Sequence, residues 1–171
     1  MHNDTNQALI IITGSPCVGK TAVGECLFES YENSAYFDGD WAWYVNPFSI
    51  DDPRLRNGDK TMSFALSTYL NSNFSYVIFA SVVVIGEDIR KAVLQDITAK
   101  DYTVIAFTLK CSKDTLAARH KHRGDENEVS FFWLGLPPHP GDHVIDTDNK
   151  TIPEIVDEMK GIIDQATRQP E

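Results

Sequence analysis

Gly14-Ser15-Pro16-Cys17-Val18-Gly19-Lys20-Thr21 is the stretch on which the reading of this chain turns. It follows a continuous apolar run, Ala8 to Thr13, of the kind that a strand buried on both faces requires. Behind it, Ala22, Val23, Cys26 and Leu27 recur with a helical period. A G-x-x-x-x-G-K-[ST] spacing between a strand and a helix builds a cradle for phosphate, and each fixed position has a physical reason. Glycines at 14 and 19 let the backbone wrap closely, so that successive N–H groups point inward. The helix that opens near Lys20 directs its positive dipole end at the same anion. Lys20 then reaches the β- and γ-phosphates and the Thr21 hydroxyl binds Mg²⁺. All eight residues are expected to contact a bound nucleoside triphosphate with its Mg²⁺. Cys17 reads as a small filler within the loop.

Outward from this loop, strand-like runs alternate with helix-like segments, the pattern of an α/β domain with a parallel sheet. Strands are expected at Ala8 to Thr13, Ser34 to Phe37, Tyr76 to Ile85, Tyr102 to Leu109 and His143 to Ile145. Helices are expected at Lys20 to Tyr31, Thr61 to Leu70, Glu87 to Lys100, Lys113 to His122 and Thr151 to Gln165. Trp41 to Lys60 is broken by Pro47, Pro53 and Gly58, and Gly124 to Gly141 is polar, then aromatic and proline-rich. No repeat or linker divides the chain, so residues 1–171 are expected to form one domain.

Composition bounds the function. The chain has 171 residues, 42% apolar and 23% charged, which excludes wholesale disorder and gives one core to build. Fifteen Lys and Arg against 25 Asp and Glu leave a net charge of −10, a poor match for nucleic acid. Three scattered cysteines, Cys17, Cys26 and Cys111, make neither a disulfide framework nor a zinc site. Met1 to Gln7 is polar and does not read as a leader peptide, and the longest apolar run is too short to span a membrane. A cytoplasmic protein with no nucleic-acid or membrane partner, monomeric or homodimeric, is the expectation.

The loop and the order of the elements resemble the small P-loop kinases related to nucleoside monophosphate kinases. Gluconate, shikimate and adenylylsulfate kinases and chloramphenicol phosphotransferase belong to that group. The resemblance implies a five-stranded parallel sheet in the order 2-3-1-4-5 flanked by helices, with a lid at about 119–141. It also implies transfer of the γ-phosphate of Mg-ATP to a small-molecule hydroxyl. Asp38-Gly39-Asp40 ends the second strand, where such kinases carry an acidic residue facing the γ-phosphate. Asp38 is accordingly the expected base and Mg²⁺-side carboxylate, and Asp40 the expected acceptor-binding partner, with the reverse order left open. The carboxylate usual at the end of the third strand is missing, and Ser81 stands in that region. Within Arg119-His120-Lys121-His122-Arg123, Arg119 matches the lid arginine that lies against adenine, and Arg123 the one that clamps the transferring phosphate. Trp41 and Arg54 are expected on the acceptor, Arg54 and Arg56 being placed to grip an anion. Phe131, Phe132 and Trp133 either cover the acceptor or pack the lid onto the body. Two alternatives stand beside the small-molecule kinase: a nucleoside monophosphate kinase and a non-catalytic nucleotide-binding module.

Overall fold

The computed structural model describes residues 7–124 and 126–168. The polar residues 1–6, on which the absence of a leader was argued, lie outside the described residues. Five strands form a single parallel sheet in the order β2-β3-β1-β4-β5. They are β1 (Gln7–Gly14), β2 (Ser34–Asp38), β3 (Tyr76–Ala80), β4 (Tyr102–Lys110) and β5 (His143–Asp146).

β1 is central, and its alternation builds two cores. Ala8, Ile10 and Ile12 point to one face, where they pack with Val23 and Leu27 of α1 (Lys20–Ser30), Leu116 of α4 (Lys113–Arg123), and Ile155, Met159 and Ile163 of α6 (Ile152–Thr167). Leu9 and Ile11 point to the other face. There they meet Met62, Leu66 and Leu70 of α2 (Leu55–Asn71) and Val93 of α3 (Glu87–Gln95). Both faces of the strand are therefore dry, as the unbroken apolar run demanded. All four pairings run in parallel, so the carboxyl ends of the strands gather along one edge of the sheet. The crevice at that edge is where open α/β sheets bind their ligands.

The helix expected at Glu87 to Lys100 ends at Gln95, and three further differences from the sequence expectation bear on the site. The apolar run Tyr76 to Ile85 is strand only as far as Ala80, and Val83–Ile85 forms a 3-10 turn. Periodicity cannot separate those two states in a continuous apolar run. Secondly, α2 starts at Leu55, ahead of the expected Thr61, because Gly58 is a packing residue and not a breaker. A Cβ there would lie 2.5 Å from the carbonyl oxygen of Ala42, in the 3-10 turn Gly39–Trp43. The third is a short helix, α5 (Phe132–Gly135), inside the segment read as irregular. Its carboxyl end is held by Lys110, whose Nζ donates to the carbonyls of Leu134 and Leu136 at 2.8 and 2.6 Å.

The last helix carries a complete capping box. Thr151 accepts from the Glu154 backbone N–H, and the Glu154 carboxylate accepts from that of Thr151. Thr151→Ala is expected to cost about 1 kcal/mol of unfolding free energy, measured by urea titration.

Candidate functional site

The loop after β1 has the geometry of an anion cradle. Gly14, Cys17 and Gly19 carry φ of 144°, 64° and 109°. Gly14 is required twice over, because a Cβ there would lie 2.6 Å from the Leu109 carbonyl oxygen on neighbouring β4. Gly19 is the N-cap of α1, and this helix start has no side-chain cap and no acidic residue in its first turn. Its N–H groups are thus left for an external anion. Lys20 is buried, and its Nζ donates to the Ser15 carbonyl at 3.2 Å. Burial pushes the ammonium below the usual lysine value, while the charges of Asp40 and Asp38 act against that shift. The Ser15 hydroxyl is buried without a hydrogen-bond partner among the described residues. A polar atom left so is costly, and a phosphate oxygen in the cradle would satisfy it.

Across the loop stand the two carboxylates of Asp38-Gly39-Asp40. Asp38 closes β2; its Oδ2 accepts from Thr21 Oγ1 at 3.2 Å and its Oδ1 from the Asp40 N–H at 3.0 Å. Burial raises the Asp38 carboxyl above its ordinary range, and the neighbouring Asp40 charge adds to that. The hydrogen bonds from Asp40 and Thr21, and Lys20 nearby, pull it back. Asp40 turns the other way, its Oδ1 accepting from Ser81 Oγ and the Val82 N–H, both at 2.8 Å. The end of β3, which supplies no carboxylate of its own, thereby receives one from the β2 side. Those two bonds also cap the turn that interrupts the apolar run after Ala80.

Loop and carboxylates line a cavity of about 870 Å³. Of the residues expected from sequence, Pro16, Cys17, Val18, Gly19, Lys20, Thr21, Asp38, Asp40, Trp41, Arg119 and Arg123 line it. Arg119 is tied down, with Nη1 donating to Val18 O at 3.0 Å and Thr147 Oγ1 at 2.9 Å, and Nη2 to Thr147 O at 3.0 Å. It joins the phosphate loop to the turn between β5 and α6. Arg123 brings its Nη1 to 3.8 Å from Cys17 Sγ, at the mouth of the loop.

Gly14 and Ser15 are not part of that lining, and Arg54 is directed elsewhere by the fold. It forms a forked ion pair with Asp52, is 74% exposed and does not line the cavity. A partner two residues away satisfied the guanidinium locally. Arg56 lies 3.2 Å from Asp59 and stacks over the Trp43 ring, whose indole N–H donates to the same carboxylate. The aromatic segment divides accordingly: Trp43 is core, whereas Trp41 and Tyr44 stand 68% and 81% exposed beside the cavity, edge to face. Of the lid aromatics, Phe131 packs on the core, and Phe132 and Trp133 pair with each other away from the cavity lining.

Sequence reasoning passed over two features. Tyr36 and Glu25 line the cavity, and the Tyr36 hydroxyl is buried beside Thr21 with no well-formed hydrogen bond among the described residues. Burial raises this phenol, and the Asp38 and Glu25 charges add to the effect. The signal available was position: Tyr36 and Asp38 are two apart on one strand and so share a face. The second is a buried ion pair in which Arg90 donates through both terminal nitrogens to Asp142, at 2.6 and 2.9 Å. Thr108 donates to the same carboxylate at 2.6 Å, and Arg90 Nε to Val84 O at 2.8 Å. No sequence spacing links these residues.

Comparison with solved structures places this architecture. A gluconokinase from Sinorhizobium meliloti superposes with a TM-score of 0.70 at 16% identity, over 95% of this chain and 94% of that one. The tunicamycin resistance protein of Deinococcus radiodurans gives 0.68 at 19% identity, over 92% and 95%. The chain has the fold of the small P-loop kinases. The APS kinase of Mycobacterium tuberculosis, in complex with AMPPNP and APS, matches at 0.66 and 12% identity, over 93% of this chain and 98% of that one. No protein-family model matches the chain, and no curated protein matches it. At these identities the likeness is one of fold; the chemistry must be argued from the residues.

Proposed function

We propose that this P-loop protein is a phosphotransferase that moves the γ-phosphoryl group of Mg-ATP to a hydroxyl of a small-molecule acceptor. The observation that carries the reading is the Thr21–Asp38 hydrogen bond, which sets a carboxylate against the phosphate loop inside the same cavity as Lys20. Phosphoryl transfer asks little covalent chemistry of the protein. It needs a cradle, compensating charge and a nucleophile in line. The N–H groups of residues 14–21 and the Lys20 ammonium hold the phosphates. Thr21 Oγ1, with Asp38 beside it, would hold Mg²⁺, which would supply positive charge against the phosphates. Asp38 orients the acceptor hydroxyl and takes its proton as the new O–P bond forms and the bond to the β–γ bridging oxygen breaks, releasing ADP. Arg123 stabilises charge on the transferring group, in the manner of an arginine finger. Residues 119–141 act as the lid, hinged on the contacts of Arg119.

Asp38→Asn tests this reading, because the asparagine oxygen can still accept from the Asp40 N–H while its amide donates to the Thr21 hydroxyl, and the charge is removed. ATP binding should survive within about threefold, while acceptor-dependent ADP release falls about 10²-fold or more, as expected for loss of a general base. The raised Asp38 carboxyl also predicts an opposite effect on stability. An acid whose folded value lies above its unfolded value stabilises the fold fully below the unfolded value, and loses that contribution as pH rises through the folded one. The melting temperature of Asp38→Asn should therefore gain on wild type as pH rises from below the ordinary carboxylate range, then level off. Equal turnover in the two proteins would remove Asp38 from the chemistry. Tight Mg-ATP binding with no acceptor-dependent turnover would favour a nucleotide-binding module instead.

A further inference from the structure

The charges around the cavity are sorted. Its three cations, Lys20, Arg119 and Arg123, lie on or against the phosphate loop, where a triphosphate would engage them. Beyond Thr21 the charged residues of the lining are Glu25, Asp38 and Asp40, all acidic. The arginines that sequence placed on the acceptor are occupied: Arg54 by Asp52, and Arg56 by Asp59 and the Trp43 face. Arg90, on the helix after β3, is buried and spent on Asp142. Trp41 and Tyr44 hold their rings exposed at the rim of this acidic half. Aromatic faces attract cations as well as flat rings, and these two stand side by side at the cavity. Deeper in, the buried Tyr36 hydroxyl, beside Thr21, offers a donor or acceptor to a neutral polar group.

Resting on the phosphotransferase reading, we propose that the acceptor is a ring-bearing alcohol carrying a positive charge, or none, and that this site rejects phosphorylated, sulfated and carboxylate acceptors. Trp41 and Tyr44 stack the ring, Asp40 and Glu25 hold the cationic or hydrogen-bonding end, and the hydroxyl faces Asp38. An anionic acceptor would bring its charge beside three carboxylates with no unengaged guanidinium to meet it, and like charges in a partly desolvated site repel strongly.

Three indole alcohols of matched shape test the proposal: tryptophanol (ammonium), tryptophol (neutral) and indole-3-lactate (carboxylate). Binding is measured by titration calorimetry at pH 7 on the whole protein saturated with Mg-AMPPNP, so that the adenine site is closed to the probes. Tryptophanol should bind at least tenfold more tightly than indole-3-lactate, with tryptophol between them. Asp40→Asn keeps the Ser81 and Val82 bonds and should shrink that ratio to about threefold or less, while Trp41→Ala should weaken all three probes about tenfold. Indole-3-lactate binding as well as tryptophanol, an order that Asp40→Asn leaves unchanged, or no saturable binding of any probe would overturn the proposal. Turnover is scored separately as Lys20-dependent ADP release. The predicted binding order without turnover on any alcohol would sink the phosphotransferase reading and leave the charge selection standing. Turnover on an anionic acceptor would do the reverse.

Discussion

Lys20→Ala is expected to lower acceptor-dependent ADP release about 10²–10³-fold, the loss typical of removing one preorganised charge from a site of developing negative charge. The loss should fall on turnover and on nucleotide affinity together, because this ammonium would meet the phosphates before and during transfer. Lys20 is almost wholly buried, and its Nζ already rests 3.2 Å from the Ser15 carbonyl, so it is poised without rearrangement. Burial works against its charge, with Asp40 and Asp38 in partial compensation. Truncation therefore removes a group that the ligand-free protein holds at a cost, and Lys20→Met should melt at or above the wild-type temperature while binding nucleotide poorly. Calorimetric melting with and without Mg-ATP reads both effects. Wild-type turnover in Lys20→Ala, or a nucleotide-induced rise in melting temperature equal to that of wild type, would refute the assignment of the loop.

The largest effect on stability is expected at Asp142. Its carboxylate takes two hydrogen bonds from Arg90 and one from Thr108, and the paired side chains are 5% and 1% exposed. Asp142→Ala would strand a guanidinium in the interior. Breaking a buried pair from one side costs about 3–5 kcal/mol, which in a domain of this size corresponds to a fall of about 10 °C in melting temperature. The double variant Arg90→Met, Asp142→Leu removes both charges and fills the space. It should recover at least half of that loss, because the penalty lies in the orphaned charge more than in the missing attraction. Asp142→Ala melting within about 2 °C of wild type would show that the pair is dispensable. A double variant no better than the single would place the cost in packing. Asp142 immediately precedes β5, where the proposed lid ends, and Arg90 also fastens Val84 in the turn after β3. A looser lid in Asp142→Ala would appear as a raised KM for ATP at temperatures where the protein remains folded.

The two halves of the site were not equally legible in the sequence. The loop proposed for phosphate was, because its geometry resides in the backbone: glycine at 14 and 19, a strand before and a helix after are local requirements. The sheet order followed from element order and the resemblance to small P-loop kinases, and β1 announced its central position by being apolar without a break. The acceptor side was not legible in this way. Asp40 reaches Ser81 and Val82, about forty positions away, at the turn where β3 stops. Arg54 has the residue type of an anion binder, but a neighbouring aspartate claims it. Trp41, Trp43 and Tyr44 read alike in sequence, and only the packing of α2 against the Gly39–Trp43 turn buries one and leaves the others at the cavity.

By itself, then, the sequence determined the backbone of the loop proposed to hold a triphosphate, the strand buried on both faces and the carboxylates that stand beside that loop. The tertiary structure alone decided which charges remain available to a second ligand. That division has a physical cause. Backbone geometry and hydrophobic period are set by near neighbours in the chain. The engagement of a side-chain charge depends on whatever the fold brings within about 3 Å of it.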